Sequence, residues 1–210
     1  LFPAQPPSEV VLPSKDAIDR QARLELERLR IRQQKARANH VDFWRDYLDR
    51  SHYLVNFSDY WHLLDQIHRL LGPLPDGARV LDAGCGTGNF GMFLLIAQCL
   101  RQDQHEPAKA LQYVGVDFVL SGLTQAKAHL LRVAAELRGK FSGIVRPHTA
   151  MAGGLACADL NVRLPFPDHH YDRVVCTLVL GYLRDPLFTL REFLRVLAPH
   201  GKLVIANFKP

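Results

Sequence analysis

The segment Arg79-Val80-Leu81-Asp82-Ala83-Gly84-Cys85-Gly86-Thr87-Gly88-Asn89-Phe90 decides how this chain folds. An apolar run ends in an acidic residue, glycines follow at every second position, and a pattern with helical spacing begins at Phe90. Glycines at this spacing let a strand turn sharply into a helix while the backbone lies close to a ligand. The carboxylate of Asp82 would weaken a phosphate cradle and would favour a ligand that carries an ammonium or sulfonium group.

Beyond this segment, strand and helix signals alternate, which is typical of parallel βαβ units. We predict strands at 79–83, 111–117, 171–178 and 202–208, and helices at 89–100, 120–138 and 186–197. The third strand stays open between two segments, 143–146 and 155–159. Residues 72–210 would then form one α/β core, which begins at a Pro- and Gly-rich break over 72–77.

The residues before this core have a different composition. Residues 1–13 are proline-rich and predict an extended tail, and residues 14–71 predict a helical extension or cap. The first helix of this cap would begin near Ser14, a residue type suited to the N-cap. Two further helices are predicted in the aromatic-rich stretch 41–71, with an interruption near residues 56–58.

The positive charge of the chain is concentrated in one predicted helix. Between Arg20 and Arg37 the chain carries seven Lys or Arg and two Glu, an excess equal to the whole net charge of +5. A protein built to bind nucleic acid would spread its basic residues over a domain face, so that partner is disfavoured. Three interpretations stay open: packing on the chain's own core, contact with a protein partner or second copy through residues 15–50, and peripheral contact with a membrane surface.

The composition of the chain limits the classes of protein and of binding site to which it can belong. No apolar run approaches the roughly 18 residues of a membrane span, and the first residues lack a signal-peptide pattern. The four cysteines include no C-x-x-C pair, which favours a reducing, cytoplasmic compartment and argues against a zinc site or disulfide framework. The adjacent pair His169-His170 predicts a solvated turn in preference to metal ligands.

A second acidic residue, Asp117, ends the second predicted strand. A carboxylate at this position can accept hydrogen bonds from both hydroxyls of a ribose. Phe118 follows and would either stack on an adenine face or serve as a core residue at a helix start. The hexapeptide Gly86-Thr87-Gly88-Asn89-Phe90-Gly91 also satisfies the G-x-G-x-x-G spacing of dinucleotide-binding proteins. These residues alone leave the choice of cofactor open.

Four motifs in order resemble those of the class I S-adenosylmethionine-dependent methyltransferases. They lie at 80–88, at 157–175 around the proline-bracketed turn 164–168, at 176–186 and at 190–203. Dinucleotide enzymes have no comparable turn at this place. The resemblance implies an α/β, Rossmann-like, doubly wound and mostly parallel sheet of order 3-2-1-4-5 with an N-terminal helical cap. It also implies S-adenosylmethionine as the cofactor and methyl transfer as the activity, most similar to the group that methylates small molecules.

The resemblance implies a set of cofactor-binding residues as well. In that family the residue matching Asp159 hydrogen-bonds the adenine amino group, and backbone carbonyls after the fourth strand hold the methionine ammonium. The matching positions are Asp82, Gly84, Cys85, Gly86, Thr87, Gly88, Asn89, Asp117, Phe118, Asp159, Leu160, Cys176 and Thr177.

The sequence identifies no catalytic base. Methyl transfer from a sulfonium needs mainly collinear alignment and exclusion of water, so a base is optional. Candidates for contact with the acceptor are Tyr182, His169, His170, Tyr60 and Trp61, the last two being equally consistent with core packing in the cap. Gly181 stands where many relatives carry an acidic residue, which removes one candidate base. The aromatic cap favours a small, apolar or aromatic acceptor.

Two expectations concern the whole chain. The family's sheet has two more strands after the fifth, so we expect a C-terminally truncated core, an edge completed by another chain, or an exposed fifth strand. The alternative to an enzyme is a methyltransferase-like scaffold or pseudoenzyme that binds a protein partner through its basic N-terminal helix. The retained acidic and glycine positions favour the enzyme, because a scaffold does not need them.

Overall fold

The structure, a computed structural model, describes residues 40–51, 58–100, 110–140 and 152–207. The elements are α1 (His40–Ser51), α2 (Ser58–Leu71), β1 (Arg79–Ala83), α3 (Asn89–Leu100), β2 (Gln112–Asp117), α4 (Leu120–Lys140), β3 (Ala152–Cys157), β4 (Tyr171–Thr177), α5 (Pro186–Val196) and β5 (Leu197–Ala206), with a 3₁₀ turn at Leu180–Tyr182. The basic helix predicted from Ser14 lies outside the described residues.

The five strands form one parallel sheet in the order β3-β2-β1-β4-β5, which confirms the predicted topology. All five strands therefore end at the same edge of the sheet. The strand order reverses between β1 and β4, and ligands of open α/β sheets bind in the crevice at such a reversal. We therefore expect a ligand-binding site at the carboxyl ends of β1, β2 and β4.

Apolar side chains cover both faces of the sheet. Val80 of β1 faces a cluster built with Leu64 and Ile67 of α2 and with Leu94 of α3. The next residue, Leu81, faces the opposite cluster, which includes Phe193 and Val196 of α5. Successive side chains of a strand point to opposite faces, so β1 is buried between two helical layers.

The third strand is the later of the two predicted segments, and it begins earlier than we expected. Ala152-Gly153-Gly154 lacks the β-branched residues typical of a strand, yet it pairs with β2 along its whole length. A Cβ on Gly153, which has φ of +142°, would lie 1.8 Å from the Tyr113 carbonyl oxygen, so only glycine fits there. The alternative segment 143–146 lies outside the described residues.

The fifth strand also departs from its predicted bounds at its start. Leu197 pairs with Tyr171, and pairing resumes only where Lys202 meets Arg173, so the turn Pro199-His200-Gly201 is accommodated as a bulge. The strand therefore begins before the turn. Its end at Ala206 is the last paired residue, and Phe208 lies outside the described residues.

Arg195 of α5 fixes the turn at 164–168. Its guanidinium donates to both oxygens of Glu192, to Asp168 and to the carbonyls of Leu164 and Phe166. Hydrogen bonds to ionised groups are shorter and stronger than neutral ones. This proline-bracketed turn is therefore held rigidly against α5. Among the described helices, none has the length and apolar character needed to cross a bilayer.

The packing of α5 makes a prediction about stability. Phe193 is fully buried, whereas its neighbour Leu194 is 58% exposed. We expect Phe193→Ala to lower the free energy of unfolding by about 3–5 kcal/mol, because it leaves a cavity under the sheet. Leu194→Ala should cost less than about 0.5 kcal/mol. Urea-induced unfolding of both variants measures this difference, and equal losses would contradict the assigned orientation of α5.

Candidate active site

The glycine-rich loop between β1 and α3 is tied to the end of the neighbouring strand. The Val116 carbonyl of β2 accepts hydrogen bonds from Gly84 N–H at 2.7 Å and from Cys85 N–H at 2.9 Å. The loop then closes on itself, since Gly88 N–H donates to the Cys85 carbonyl at 2.9 Å. Its shape is therefore set by backbone contacts before any ligand binds.

The glycines of this loop serve packing as well as ligand access. Gly84, Gly86 and Gly88 all have positive φ values, of 80°, 52° and 82°. A Cβ on Gly84 would lie 2.4 Å from Val179 Cγ2, so the segment after β4 packs directly on this residue. From the sequence we had expected the glycines to serve the sharp turn and the close approach of a ligand, but not this packing.

Asp117 binds the same loop through its carboxylate. One oxygen accepts from Gly86 N–H at 3.0 Å and the other from Val119 N–H at 2.9 Å. Burial raises the pKa of Asp117, and these backbone N–H groups oppose that rise. The backbone of Phe118 is a third hydrogen-bonding partner of this carboxylate. A carboxylate has about four lone-pair sites, so it keeps capacity for a hydroxyl donor of a ligand.

Asp82 is more deeply buried than Asp117. The hydroxyl of Tyr113 donates to its carboxylate at 2.7 Å, and burial raises the pKa of Asp82 to about 7. Alternation along β1 and β2 places Asp82 and Asp117 on the sheet face that α3 covers. Two carboxyl groups thus share one face at the reversal point, where a positively charged ligand would be stabilised.

Two buried hydroxyls at this edge lack a hydrogen-bond partner among the described residues. They are Thr177 Oγ1, at the carboxyl end of β4, and Ser121 Oγ, in the first turn of α4. Thr177 lies on the same sheet face as Asp82, since Val175 belongs to the cluster on that face. A buried hydroxyl without a partner is costly, and a polar ligand would satisfy it. These residues fit a ligand that carries positive charge and hydroxyl groups.

Tyr60 of α2 also reaches the loop. Its hydroxyl accepts from the Asn89 side-chain N–H at 3.5 Å, and the side-chain oxygen Oδ1 of Asn89 accepts from Thr87 Oγ1 at 3.5 Å. Burial raises the pKa of Tyr60 to about 12. The phenol therefore stays protonated at neutral pH and can orient a ligand without acting as a base.

Helix α1 covers the loop from the other side. A Cβ on Gly86 would lie 3.1 Å from Leu48 Cδ2, so α1 contacts the middle of the loop. Trp44, on the same helix, makes an edge-to-face contact with Tyr182 at a centroid distance of 4.8 Å. Tyr47 lies 5.3 Å from Trp44. From the sequence we predicted a role for Tyr182 but not for Trp44 or Leu48. The only sequence signals for those two residues were the aromatic-rich composition of their segment and its helical spacing.

Asp159 lies just beyond the carboxyl end of β3 and is already engaged. One carboxylate oxygen accepts from the backbone and side-chain N–H groups of Asn161, at 2.9 and 2.7 Å. The other lies 3.6 Å from a nitrogen of Arg184, a residue that sequence reasoning did not select. Leu160, in contrast, is buried in the cluster beside α5.

The remaining predicted residues divide between the site and other places. Phe118 follows Asp117 directly, whereas the Cys176 side chain belongs to the cluster on the opposite face of the sheet. Burial raises the pKa of both buried thiols, Cys85 and Cys176, so neither is a nucleophile at neutral pH. The described residues contain no group of three or more His, Cys, Asp or Glu able to hold a metal ion.

His169 and His170 do not belong to this site. They directly precede β4, so they lie at the amino edge of the sheet, opposite the glycine-rich loop. His169 N–H donates to the Arg195 carbonyl at 2.8 Å, and His170 lies 3.4 Å from a guanidinium nitrogen of Arg79. Their selection as acceptor contacts rested on their loop position. Trp61 is also set aside, since it packs on Phe93 beside the core.

Asp82 predicts an unusual dependence of stability on pH. The carboxyl group of Asp82 has a higher pKa in the folded chain than in the unfolded chain. Its contribution to the free energy of unfolding is therefore fully present below about pH 4 and is lost as the pH rises through about 7. Asp82→Asn keeps an acceptor for Tyr113 and never ionises. Its stability relative to the parent should therefore increase by on the order of 2–3 kcal/mol between about pH 5 and pH 8. Urea unfolding of the ligand-free protein at several pH values tests this, with exposed Asp76→Asn as the control, and a difference independent of pH would contradict it.

Most of the chain matches a known protein family. Residues 57–209 match the model of a family described as "Methyltransferase domain". This match begins at the start of α2 and spans every strand of the sheet. It therefore covers the glycine-rich loop and both buried carboxylates.

Individual relatives agree with the family but differ in their substrates. The chain is 31% identical over 132 residues to the demethylmenaquinone methyltransferase of Deinococcus radiodurans, covering 63% of this chain and 44% of that protein. It is 33% identical over 132 residues to a malonyl-[acyl-carrier protein] O-methyltransferase of Halorhodospira halophila, covering 63% of this chain and 35% of that protein. The chain thus spans less than half the length of either relative.

The fold is shared with solved structures. One from Methanococcus maripaludis superposes with a TM-score of 0.55 at 17% identity, covering 79% of this chain and 62% of that one. This likeness concerns the fold alone. Together with the family match, it shows that this chain belongs to the methyltransferase domain family, in the class I S-adenosylmethionine-dependent group.

Proposed function

We propose that this chain takes part in methyl transfer from S-adenosylmethionine to a small, apolar or aromatic acceptor. The observation that carries the proposal is the grouping of Asp82, Asp117 and the Thr177 hydroxyl on one face of the sheet, around the glycine-rich loop. Within the described part of the chain, that hydroxyl has no hydrogen-bond partner. A nucleoside that bears a sulfonium and an ammonium group matches this set in charge and in hydrogen-bonding capacity.

The loop residues and the two acidic positions divide the work of binding. Asp117 would accept from the ribose hydroxyls while it anchors Gly86, and Asp82 would stabilise the positive charge near the start of α3. Asp159 and the backbone of Leu160 would contact the adenine, and the backbone of residues 176–177 the methionine part, since the Leu160 and Cys176 side chains are buried in the opposite cluster. Thr87 and Asn89 complete the wall of the loop next to Tyr60.

The cofactor supplies an activated methyl carbon, so the chain mainly has to orient two partners and exclude water. Helix α1 seals the loop through Leu48, and the rings of Trp44 and Tyr182 lie against each other. The neutral phenol of Tyr60 would fix an acceptor by hydrogen bonding. Acidic acceptors such as phenols, or activated ring carbons, need no strong base.

The aromatic wall supports an aromatic acceptor. Trp44, Tyr47 and Tyr182 form consecutive edge-to-face contacts, and such surfaces favour flat apolar rings. The Deinococcus relative is named for a quinone substrate, which is consistent with this wall. The Halorhodospira relative, at similar identity, is named for malonyl-[acyl-carrier protein]. Because the aromatic wall favours a flat ring, we propose a quinol ring as the first acceptor to test.

The scaffold alternative depends on residues 15–50, of which the structure describes only the end. Within that end, Leu48 and Trp44 face the loop and Tyr182, so part of the segment serves the site itself. A partner for the basic residues that precede this end, which lie outside the described residues, is compatible with methyl transfer. We propose that such a partner would bind outside the site.

Cofactor affinity tests the assignment of Asp117. We expect Asp117→Ala to weaken S-adenosylmethionine binding by about 30-fold or more, since it loses the ribose acceptor and frees Gly86. Asp76→Ala, in the exposed loop before β1, should change the affinity less than about twofold. Isothermal titration of both variants measures the difference. Unchanged affinity of Asp117→Ala would overturn its role.

Steady-state kinetics with a quinol acceptor test the aromatic wall. Trp44→Ala should raise the KM for the acceptor by about tenfold and alter the KM for S-adenosylmethionine by less than about threefold, because it removes one ring of the wall. Trp61→Ala is the matched control: it should lower thermal stability and leave the acceptor KM unchanged. If Trp61→Ala raised the acceptor KM as much as Trp44→Ala, the wall would be wrongly placed.

A further inference from the structure

One residue at the reversal point has a backbone that its side chain disfavours. Leu178, directly after β4, has φ of +60°. Residues with a Cβ avoid this left-handed region, and such strain persists only where the surroundings impose it. Two other non-glycine residues among those described share it, His169 and His200, and both lie at the amino edge of the sheet.

The neighbours of Leu178 show what imposes this conformation. Its N–H donates to the Ala206 carbonyl of β5 at 2.7 Å, so the residue is held at the sheet edge. The chain then turns back, and Val179 comes to rest on Gly84 of the glycine-rich loop. The backbone amides of Val179 and Leu180 lie against the Cys176 sulfur. The left-handed backbone of Leu178 thus directs the following residues over the glycine-rich loop.

The same turn governs groups that a ligand would meet. Thr177, whose hydroxyl is buried without a partner among the described residues, immediately precedes Leu178. The 3₁₀ turn that carries Tyr182 follows within two residues and reaches Trp44. Thr177 itself is held in β4 by its pairing with Ala206, so an extended conformation at Leu178 would move Val179 and Tyr182 away from Thr177 and the loop.

We propose that Leu178 is a positioning residue for the cofactor, acting through its left-handed backbone and not through its side chain. This inference rests on the proposed function and deepens it. It assigns the strain at the end of β4 to the placement of Val179 and Tyr182 beside Thr177, around the bound ligand.

Two substitutions separate backbone from side chain. Leu178→Ile conserves volume and apolarity but adds a β-branch, which strongly disfavours the left-handed region. Leu178→Asn loses the apolar side chain but tolerates that region. We expect the dissociation constant for S-adenosylmethionine, measured by titration calorimetry, to rise about tenfold or more for the Ile variant and less than about threefold for the Asn variant.

The reverse order, with Ile binding like the parent and Asn binding weakly, would overturn the proposal in favour of side-chain packing. Failure of the parent chain itself to bind would overturn the proposed function, and this inference with it. If Leu178→Ile does not fold by circular dichroism, Leu178→Ala replaces it. Alanine removes the apolar side chain but, like leucine, has no β-branch, so we expect its affinity to stay within about threefold of the parent's, whereas a loss of about tenfold or more would overturn the proposal in favour of side-chain packing.

The control is the same substitution at the opposite edge. His200→Ile places a β-branched residue at φ of +64°, in the turn before Lys202. It should lower the melting temperature and leave cofactor affinity unchanged. An equal loss of affinity in His200→Ile and Leu178→Ile would show that general destabilisation causes the effect, which would overturn the proposal.

Discussion

The hydrogen bonds between the end of β2 and the glycine-rich loop are the constraint on which the site depends. The Val116 carbonyl holds two successive N–H groups of the loop, and the carboxylate of Asp117 holds a third. Three donors that would otherwise point into the crevice are fixed by one neighbouring strand. The parallel register of β1 and β2 makes this arrangement possible, since it brings Ala83 level with Val116. The shape of the glycine-rich loop therefore depends on the pairing of β1 with β2.

Electrostatic cost accompanies this arrangement. Burial raises the pKa of both Asp82 and Asp117, so the ligand-free protein carries two carboxyl groups whose ionisation is disfavoured. A positively charged ligand would reverse that preference. Functional sites commonly hold groups in such unfavourable states, and the strained backbone of Leu178 at the neighbouring strand end belongs to the same pattern.

Much of this could be predicted from sequence, for identifiable reasons. The strand order followed from the resemblance to a known family, whereas the acidic end of β1 at Asp82 and the start of α5 at Pro186 followed from local patterns. Asp185 caps that helix by accepting from Phe188 N–H at 3.0 Å. The contact of Leu48 with Gly86 could not be predicted, because it joins residues distant in sequence. The selection of His169 and His170 overlooked that they directly precede the predicted strand 171–178, a position that lies at the amino edge of a parallel sheet.

Binding of nucleosides to the unmodified chain is the most direct test of the central claim, that this site is built for a cationic adenosine cofactor. Calorimetric titration with S-adenosylmethionine, S-adenosylhomocysteine and NAD separates the alternatives under one condition. We expect S-adenosylmethionine and S-adenosylhomocysteine to bind and NAD not to bind, because the carboxyl group of Asp82 disfavours a pyrophosphate at the loop. Binding of NAD in preference to S-adenosylmethionine, or of none of the three, would contradict it.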